Sequence, residues 1–523
     1  MQFGGSEGVV LLGEMLGRAA LRFPDRTAVV SGSDAIGFAE LDRRACRFAN
    51  ALSSRGIPPR SRIGILCRNS AEYAIAHFGA ARAGCISVHL STRYAPAELR
   101  YALRKTDCAA LVLDPEFIGH YRAAEEALPS KPLLILSAGA APAPAIGFAE
   151  FLEGQPATAP SHDVGPSEPA CINFTSGTTG DPKGAVASHR GRAISAAVAA
   201  DDFSLSERDT IVVASPLYHA AGIFTWFQAA VFVGATSVML PAWDVSALVD
   251  VVARHRVTGA FMVPAQLALL LGDPALDRSR LESLRLVVYG GAPARPELID
   301  RAAAALPQVA FVQNYGSTEM GPLFSMLPKE RAANPTALGR PNPAIEIALF
   351  AAPGRRAAMG EVGEIASRGP HVMLEYYRDP EQTAAFFKLG DGWGWTGDLG
   401  RMDEQGFITL AGRSKDTIIS GGVNIYPAEI ERVLLEHEAV RECAAFGIPD
   451  DTWGELPAAE VVLAPGSDIG AEALGDFCLS RMARFKRPRL IRIVEALPYT
   501  PSGKLDRRQI RERNRGAAPA RPA

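Results

Sequence analysis

Short apolar segments alternate with segments of helical period along most of this chain, and this alternation constrains the fold more than any other feature. The first predicted strands are 62–67 (RIGILC), 85–90 (CISVHL) and 109–114 (AALVLD), and the first predicted helices are 38–56, 71–84 and 96–106. Buried strands separated by helices are typical of a parallel sheet with helices on both faces. The sequence therefore predicts an α/β fold.

The pattern also predicts how the chain divides into domains. Between residues 138 and 169, runs rich in proline, alanine and glycine predict surface connections. Near residue 410 the pattern changes to that of a small α+β domain with two or three strands and two helices. We therefore expect a large N-terminal domain, 1–412, with parallel-rich sheets covered by helices, and a small, mobile C-terminal domain, 413–523. The further strands expected in the large domain are 170–174, 210–215, 236–240, 259–263, 284–290 and 309–313, with a helix over 245–256.

Composition excludes several classes of partner. A chain of 523 residues with 48% apolar and 21% charged residues is typical of a globular protein with more than one core. The net charge of −3 argues against nucleic acid as a partner, and no apolar run reaches the ~18 residues of a membrane span. Seven scattered cysteines without zinc spacing favour buried thiols in a reducing compartment. The N-terminus lacks signal-peptide features, so we expect a cytoplasmic protein, and a homodimer is one alternative for its oligomeric state.

A loop rich in glycine and hydroxyl residues, FTSGTTGDPKG at 174–184, predicts a phosphate site. Glycines allow close backbone approach, and backbone amides with hydroxyls can surround phosphate oxygens. The loop follows a predicted strand and precedes a helical segment that starts near His189. It is not a Walker-type loop, because Lys183 follows Pro182 and precedes Gly184. A flexible turn is the alternative interpretation.

Further motifs follow downstream in a fixed order. They are PLYHAAGI (216–223), YGGAP (289–293), NYGSTEMG (314–321), WTGDLG (395–400), GRSKDTIISGGVNIYPAEIE (412–431) and YTPSGKLDRR (499–508). The set resembles the adenylate-forming superfamily, which contains acyl- and aryl-CoA synthetases, luciferases and nonribosomal adenylation domains. The resemblance covers nearly the whole chain and lies nearest to the acyl-CoA synthetases. It implies a ligase that makes acyl-AMP and pyrophosphate from an acid and ATP, and then acyl-CoA and AMP from acyl-AMP and coenzyme A.

The resemblance also implies roles for individual residues in the adenylation site. Lys504, Thr318, Glu319 and His219 are the expected catalytic residues, and Glu319 is the expected Mg²⁺ ligand. Tyr315 offers a ring for adenine, and Asp398 suits the two ribose hydroxyls. The full set expected to bind ATP or AMP is Thr175, Ser176, Gly177, Thr178, Thr179, Gly180, Lys183, Gly291, Ala292, Pro293, Asn314, Tyr315, Gly316, Ser317, Asp398 and Arg413.

A second half-reaction needs a second arrangement of the same site. In the resembling family the C-terminal domain rotates between the two half-reactions, and Lys415 matches the hinge position. The residues expected to contact coenzyme A are Gly421, Gly422, Trp453, Phe485, Arg487 and Arg489. A solvated basic face is the alternative for the arginines.

The acyl pocket is expected around His219, Ala220, Ala221, Gly290 and Met320. Small residues favour a roomy apolar pocket and hence an aromatic or medium-chain aliphatic acid. No basic residue in these motifs stands out for a dicarboxylic acid, and a buried core histidine is the alternative for His219. An acyl-AMP ligase that loads an acyl-carrier protein shares every motif, and a luciferase-type oxygenase and a non-catalytic relative are further alternatives.

Overall fold

The computed structural model describes residues 10–126, 128–139, 142–160, 164–175, 182–420, 423–450, 452–499 and 505–515. The chain forms two compact units. The first comprises Met1–Ile347 and Ser367–Gly394, and the second comprises Ala348–Ala366 and Trp395–Ala523. The boundary expected between residues 412 and 413 concerns a moving domain and stays a prediction.

The described helices are α1 to α16 in chain order: Leu12–Arg22, Phe38–Ser54, Ala71–Arg82, Pro96–Thr106, Ile118–Glu125, Phe148–Leu152, His189–Asp202, Gln228–Val233, Val245–His255, Pro264–Gly272, Pro296–Ala305, Pro328–Arg331, Pro380–Phe386, Pro427–Leu435, Ala471–Leu479 and Arg507–Arg513. Ala221–Phe227 forms a π-helix that continues into α8. No described helix is both long and apolar enough to cross a membrane, and the cytoplasmic location stays a prediction.

The described strands are β1 to β27: Thr27–Ser31, Asp34–Gly37, Arg62–Leu66, Ile86–His89, Ala110–Leu113, Leu133–Leu136, Ile146–Gly147, Pro169–Thr175, Lys183–Ser188, Thr210–Val213, Thr236–Met239, Gly259–Met262, Leu286–Gly290, Ala310–Ser317, Gly321–Met326, Ala337–Pro341, Glu346–Ala352, Arg355–Arg356, Gly363–Arg368, Glu375–Tyr376, Gly394–Met402, Ile408–Arg413, Ile418–Ser420, Val423–Ile425, Val440–Asp450, Gly454–Leu463 and Leu490–Ile493. The strands and helices predicted between residues 38 and 114 match this order to within two residues at each end.

Two sheets organise the first unit. One has the order β16-β15-β14-β13-β12-β10-β11-β1-β2, and the other has the order β20-β9-β8-β4-β3-β5-β6-β7. The run from β14 to β1 in the first sheet is parallel. The run from β8 to β7 in the second sheet is parallel as well. The expected α/β class with parallel-rich sheets is confirmed.

Helices cover both faces of both sheets. One core cluster joins α1, α2, α3, α7 and α8 to residues of both sheets, so these helices lie between the sheets. Helices α9, α10 and α11 cover the other face of the first sheet, and α4 and α5 cover that of the second. Val212 and Val213 are neighbours in β10 but belong to different core clusters. Both faces of such strands are dry, which explains their continuous apolar sequence.

The connection 138–169 holds more structure than its composition predicts. Helix α6 buries Phe148 and Phe151, whose rings lie 5.7 and 5.2 Å from the ring of Phe48 in α2. A five-residue helix is too short to show a period in the sequence, so α6, which lies between the two runs, was not predicted.

The segment after the phosphate loop contains a strand that was not predicted. Lys183–Ser188 forms β9, which pairs antiparallel with β8. Helix α7 begins at His189, as expected. Strand β9 is short and mostly buried, so it shows no alternation by which it could be predicted.

The second unit has its own sheets. Strands β18, β17, β19, β21 and β22 are neighbours in that order, and a separate sheet has the order β24-β23-β26-β25, with β27 beside β26. Helices α14 and α15 pack into the core of this separate sheet, and α16 packs on its other face through Ile510. The expected small α+β fold is confirmed, but it has more strands and one more helix than predicted. Six of the seven cysteines are buried and Cys443 is half-buried, as expected.

We predict that Phe151→Ala lowers the free energy of unfolding of the first unit by about 3–5 kcal/mol, because the cavity between α2 and α6 cannot collapse fully. Urea denaturation monitored by tryptophan fluorescence measures this change. Leu21→Ala is the control, since 86% of the Leu21 side chain is exposed. Equal stability of the two variants would contradict a core role for α6.

Candidate active site

The two ends of the phosphate loop lie side by side. Thr175, the last residue of β8, is the register partner of Lys183, the first residue of β9. The Thr175 hydroxyl donates a hydrogen bond to the Lys183 carbonyl at 3.5 Å. The described strands thus place the loop at the end of a hairpin. The predicted loop residues Ser176, Gly177, Thr178, Thr179 and Gly180 lie outside the described residues.

Lys183 is half-buried and has two close neighbours. Its ammonium Nζ donates to Gln382 Oε1 and lies 5.2 Å from the centre of the Tyr376 ring. Gln382 is on α13, whose N-cap residue Asp379 accepts a hydrogen bond from the Gln382 amide at 3.2 Å. Lys183 is therefore not a surface lysine in free solvent.

Tyr376 connects Lys183 to Glu319. Strand β20 pairs with β9, which brings Tyr376 opposite Ala185, and the Tyr376 hydroxyl donates to Glu319 Oε1 at 2.7 Å. Burial, and then the Glu319 carboxylate, raise the pKa of Tyr376 well above its usual range. The phenol is therefore neutral and holds one carboxylate oxygen in place. We call Lys183, Tyr376 and Glu319 the tyrosine bridge.

Sequence reasoning missed Tyr376 and Gln382. Both lie in the segment EYYRDPEQT, which carries no motif of the phosphate loop or of NYGSTE. Only the pairing of β20 with β9 brings them to the site. A tyrosine next to a predicted strand is too common to single out from one sequence.

The motif NYGSTEMG spans the end of β14, a turn and the start of β15. Asn314 is the register partner of Gly290 in the parallel strand β13, so the motif lies at the carboxyl end of that sheet, as predicted. The Tyr315 ring stacks on Phe324 with centres 5.3 Å apart. Thr318 and Glu319 are half-buried in the turn.

Close backbone packing surrounds the segment YGGAP. A β-carbon on Gly290 would lie 2.3 Å from the Asn314 carbonyl oxygen, so only glycine fits there. Gly291 has a φ of +78°, and it is exposed together with Ala292 and Pro293. The exposed backbone agrees with a surface that meets a ligand, while its contact with adenine stays a prediction.

His219 lies at the entrance to the π-helix Ala221–Phe227. It is exposed, with its ring centre 4.6 Å from that of Tyr218, so the interpretation as a buried core histidine is wrong. Ala220 and Ala221 are half-buried, and Met320 is fully buried. The acyl pocket expected around these residues stays a prediction.

The second unit holds the other expected nucleotide contacts. Asp398 in β21 and Arg413 in β22 are register partners, and Arg413 Nε lies 2.8 Å from Asp398 Oδ1. The Asp398 backbone amide donates to Thr396 Oγ1 at 3.0 Å. Only 7% of Asp398 is exposed, whereas about half of the Arg413 side chain is exposed. Neither is an isolated surface charge.

Lys415 lies in a short 3₁₀ turn, Ser414–Asp416. Its carbonyl accepts hydrogen bonds from Arg511 of α16 at 3.5 Å. The buried Asp416 carboxylate pairs with Arg511 at 3.2 Å and with Arg507 at 3.7 Å. The last helix thus fixes one side of this turn, and the hinge role of Lys415 stays a prediction.

The expected coenzyme A contacts differ in exposure. Trp453 and Phe485 are 56% and 47% exposed, which is unusual for large apolar side chains. Arg487 is half-buried 3.8 Å from Asp476, so it is not a freely solvated charge. Arg489 is half-buried and donates its backbone amide to the Pro457 carbonyl at 2.6 Å. Gly421, Gly422 and Lys504 lie outside the described residues.

Comparison with known proteins agrees with this geometry. The family described as AMP-binding enzyme matches residues 16–377, and the AMP-binding enzyme C-terminal domain matches residues 429–504. The chain therefore belongs to the adenylate-forming superfamily of AMP-binding enzymes, among the AMP-forming acyl-CoA ligases.

Two curated relatives differ in the acid and the acceptor that their names state. The chain is 34% identical over 498 residues to the indoleacetate–CoA ligase of Aromatoleum aromaticum, covering 95% of each chain. It is 33% identical over 499 residues to the fatty acid–[acyl-carrier-protein] ligase ScoC of Streptomyces coeruleorubidus, covering 94% of each. A solved structure, ATP-bound MatB from Rhodopseudomonas palustris, is 29% identical with a TM-score of 0.85, covering 96% of this chain and 99% of MatB.

We predict that Tyr376→Phe lowers the rate of acid-dependent pyrophosphate exchange into ATP by about 10- to 100-fold, because the Glu319 carboxylate loses the donor that orients it. Radiolabelled pyrophosphate measures the exchange at several Mg²⁺ concentrations. Tyr377→Phe is the matched control, because it removes a hydroxyl from the adjacent residue. An unchanged rate in Tyr376→Phe would contradict the role of the tyrosine bridge.

Proposed function

We propose that this chain is an ATP-dependent carboxylate–CoA ligase. The acid attacks the α-phosphorus of ATP to give acyl-AMP and pyrophosphate, and the thiol of coenzyme A then displaces AMP to give acyl-CoA. The observation that carries the proposal is the tyrosine bridge. It places a cation and a carboxylate on one buried phenol, next to a loop rich in hydroxyl residues.

The first half-reaction needs positive charge and positioning. A carboxylate is a poor electrophile until its oxygen is converted into a leaving group, and negative charge shifts to pyrophosphate as the P–O bond breaks. We assign Lys183 and the loop 175–180 to the β- and γ-phosphates. We assign Thr318 to the α-phosphate, Tyr315 to adenine and Asp398 with Arg413 to the ribose. Lys504 is assigned to the carboxylate and the α-phosphate.

Glu319 fits the requirement of a Mg²⁺ ion. This ion prefers oxygen ligands and is often held by one or two carboxylates together with substrate phosphates. Glu319 presents one such carboxylate, and one of its oxygens is fixed by Tyr376. When bound, the ion would neutralise charge on the phosphates. No cluster of three acidic, histidine or cysteine side chains occurs within the described ranges, which agrees with a site completed by ATP.

The second half-reaction is assigned to a different arrangement of the C-terminal part. We propose rotation about Lys415, with Gly421 and Gly422 beside the pantetheine arm and Trp453, Phe485, Arg487 and Arg489 at the nucleotide end of coenzyme A. Exposed aromatic side chains and guanidinium groups suit an adenine ring and phosphate groups.

The acid is proposed to be aromatic or medium-chain aliphatic. The small residues Ala220, Ala221 and Gly290 support an apolar pocket of that size. A carrier protein is the second candidate acceptor, because one relative is named as a ligase for an acyl-carrier protein.

Purified protein with MgATP and a panel of aliphatic, aromatic and dicarboxylic acids tests the proposal. Acid-dependent formation of AMP and acyl-CoA supports it, whereas thioester formation only on a holo-carrier protein favours the second candidate. Absence of ATP cleavage with every acid would overturn both.

We predict that Lys504→Ala lowers acid-dependent pyrophosphate exchange by about 100-fold or more, because a charge that acts in the transition state is lost. Thioester formation from supplied acyl-AMP and coenzyme A should change little. Rapid-quench assays of the two half-reactions measure both, with the surface variant Lys131→Ala as the control. Equal loss in both half-reactions would contradict the assigned role.

We predict that Lys415→Pro retains adenylation but slows thioester formation by at least about 10-fold, because proline fixes φ near −65° at the proposed hinge. Lys415→Ala is the control, since it removes the side chain and leaves the backbone free. Acyl-AMP should accumulate only in the proline variant, and mass spectrometry detects it. Normal turnover of Lys415→Pro would contradict the hinge.

A further inference from the structure

Arg192 is a buried cation without an anionic partner. It lies in α7 with 0% of its surface exposed. Its Nη2 donates to the His371 carbonyl at 3.0 Å, and its guanidinium carbon lies 4.3 Å from the centre of the Phe224 ring. Nε and Nη1 have no hydrogen-bond partner, and among the described residues no carboxylate pairs with this side chain. Arginine keeps its charge in proteins, so this arrangement is costly unless an anion completes it.

A second unsatisfied donor faces the same place. Ser195 lies one helical turn after Arg192, is 1% exposed, and its hydroxyl has no partner within the described part of the chain. A β-carbon added to Gly321 would lie 2.7 Å from Ser195 Oγ and 3.9 Å from Arg192 Nη1. Gly321 has a φ of +72°, and its backbone packs so closely against Ser195 that only glycine fits at the point that both polar groups face.

This place adjoins the expected acyl pocket. Gly321 directly follows Met320, and Phe224 belongs to the π-helix that begins at Ala221. Arg192 therefore lies behind two segments that are expected to form walls of that pocket. His219, at the start of the same π-helix, is exposed, whereas Arg192 is fully enclosed. The guanidinium is thus enclosed behind segments that are expected to line the pocket.

We propose that Arg192 and Ser195 bind a second carboxylate of the substrate acid, remote from the carboxylate that is activated. The inference rests on the proposed function and narrows its substrate class to dicarboxylic acids with an aromatic or aliphatic spacer. The second carboxylate supplies the missing counter-charge and accepts from both unsatisfied donors. A neutral acyl chain would leave the guanidinium unpaired. Arg192 lies outside the motifs in which no basic residue stood out for a dicarboxylic acid.

Matched pairs of acids test the proposal on the wild-type enzyme. Hexanoate is compared with adipate, and 3-phenylpropanoate with 3-(4-carboxyphenyl)propanoate, by the acid-dependent release of pyrophosphate. We expect kcat/KM to be at least about 10-fold higher for one dicarboxylic acid than for its partner, as a charged hydrogen bond to a buried donor implies.

Variants distinguish recognition from a structural role. Arg192→Met should lower kcat/KM for the preferred dicarboxylic acid by about 100-fold, chiefly through KM, and leave its monocarboxylic partner within a few-fold. Arg192→Lys should retain more of the kcat/KM for the preferred dicarboxylic acid than Arg192→Met does. Ser195→Ala should lower the preference for that acid over its monocarboxylic partner by a smaller factor. Arg190→Met is the matched control, because it removes an arginine from the same helix that does not face Gly321.

The outcomes separate this inference from the proposed function. If AMP forms from the monocarboxylic acids and no dicarboxylic acid is preferred, the proposed carboxylate subsite is overturned. The proposed ligase function is then still supported. Equal losses for both acids in Arg192→Met also overturn the subsite, since that is what a structural role predicts. If Arg192→Met does not fold, the selectivity of Ser195→Ala and the matched acid pairs on the wild-type enzyme test the subsite instead. No AMP from any acid overturns both.

Discussion

Burial of parallel strands on both faces is the constraint on which the rest of this structure depends. Helices must cover both faces of each sheet in the first unit. One layer packs against both sheets at once, and it consists of α1, α2, α3, α7 and α8. Consecutive residues of a strand therefore pack into different layers. The shared helical layer fixes the strand ends relative to one another, and the motifs that we propose to be functional in this unit lie at those ends. These motifs lie in hairpins and turns, where a change of sequence need not disturb the layers.

Polar contacts between side chains then fix the charged groups that the layers of helices and strands bring together. The tyrosine bridge links three segments that are far apart in the sequence, and a neutral, buried phenol serves both a cation and a carboxylate. Its hydroxyl fixes the carboxylate, while its ring face meets the ammonium group. In the second unit, Asp398 and Arg413 form a comparable pair across two neighbouring strands. In both cases charged groups are held by neighbours before any ligand binds, which lowers the cost of ordering them on binding.

Much of the fold was predictable from the sequence, because periodicity and apolar runs report burial directly. Helix α4 has the predicted bounds, and β14 begins within one residue of the strand predicted over 309–313. Strand β9 and helix α6 were not predictable, since each is short and held by tertiary contacts. The resemblance named Lys183, Glu319 and Asp398 as expected site residues, whereas it did not name Tyr376 and Arg192, which we propose from the structure. Nothing in their local sequence differs from that of an ordinary strand tyrosine or a solvated helical arginine.

The pairing of Asp416 with Arg507 and Arg511 has a consequence for biosynthesis. The turn that holds this aspartate is translated long before α16, whose Arg511 lies 95 positions later. Until α16 emerges from the ribosome, the carboxylate lacks these two cations and must stay hydrated, so the turn does not reach its final form before then. The large layered unit can pack earlier, because its core clusters draw on residues translated before that helix. The order of synthesis thus delays completion of this turn until α16 has been made.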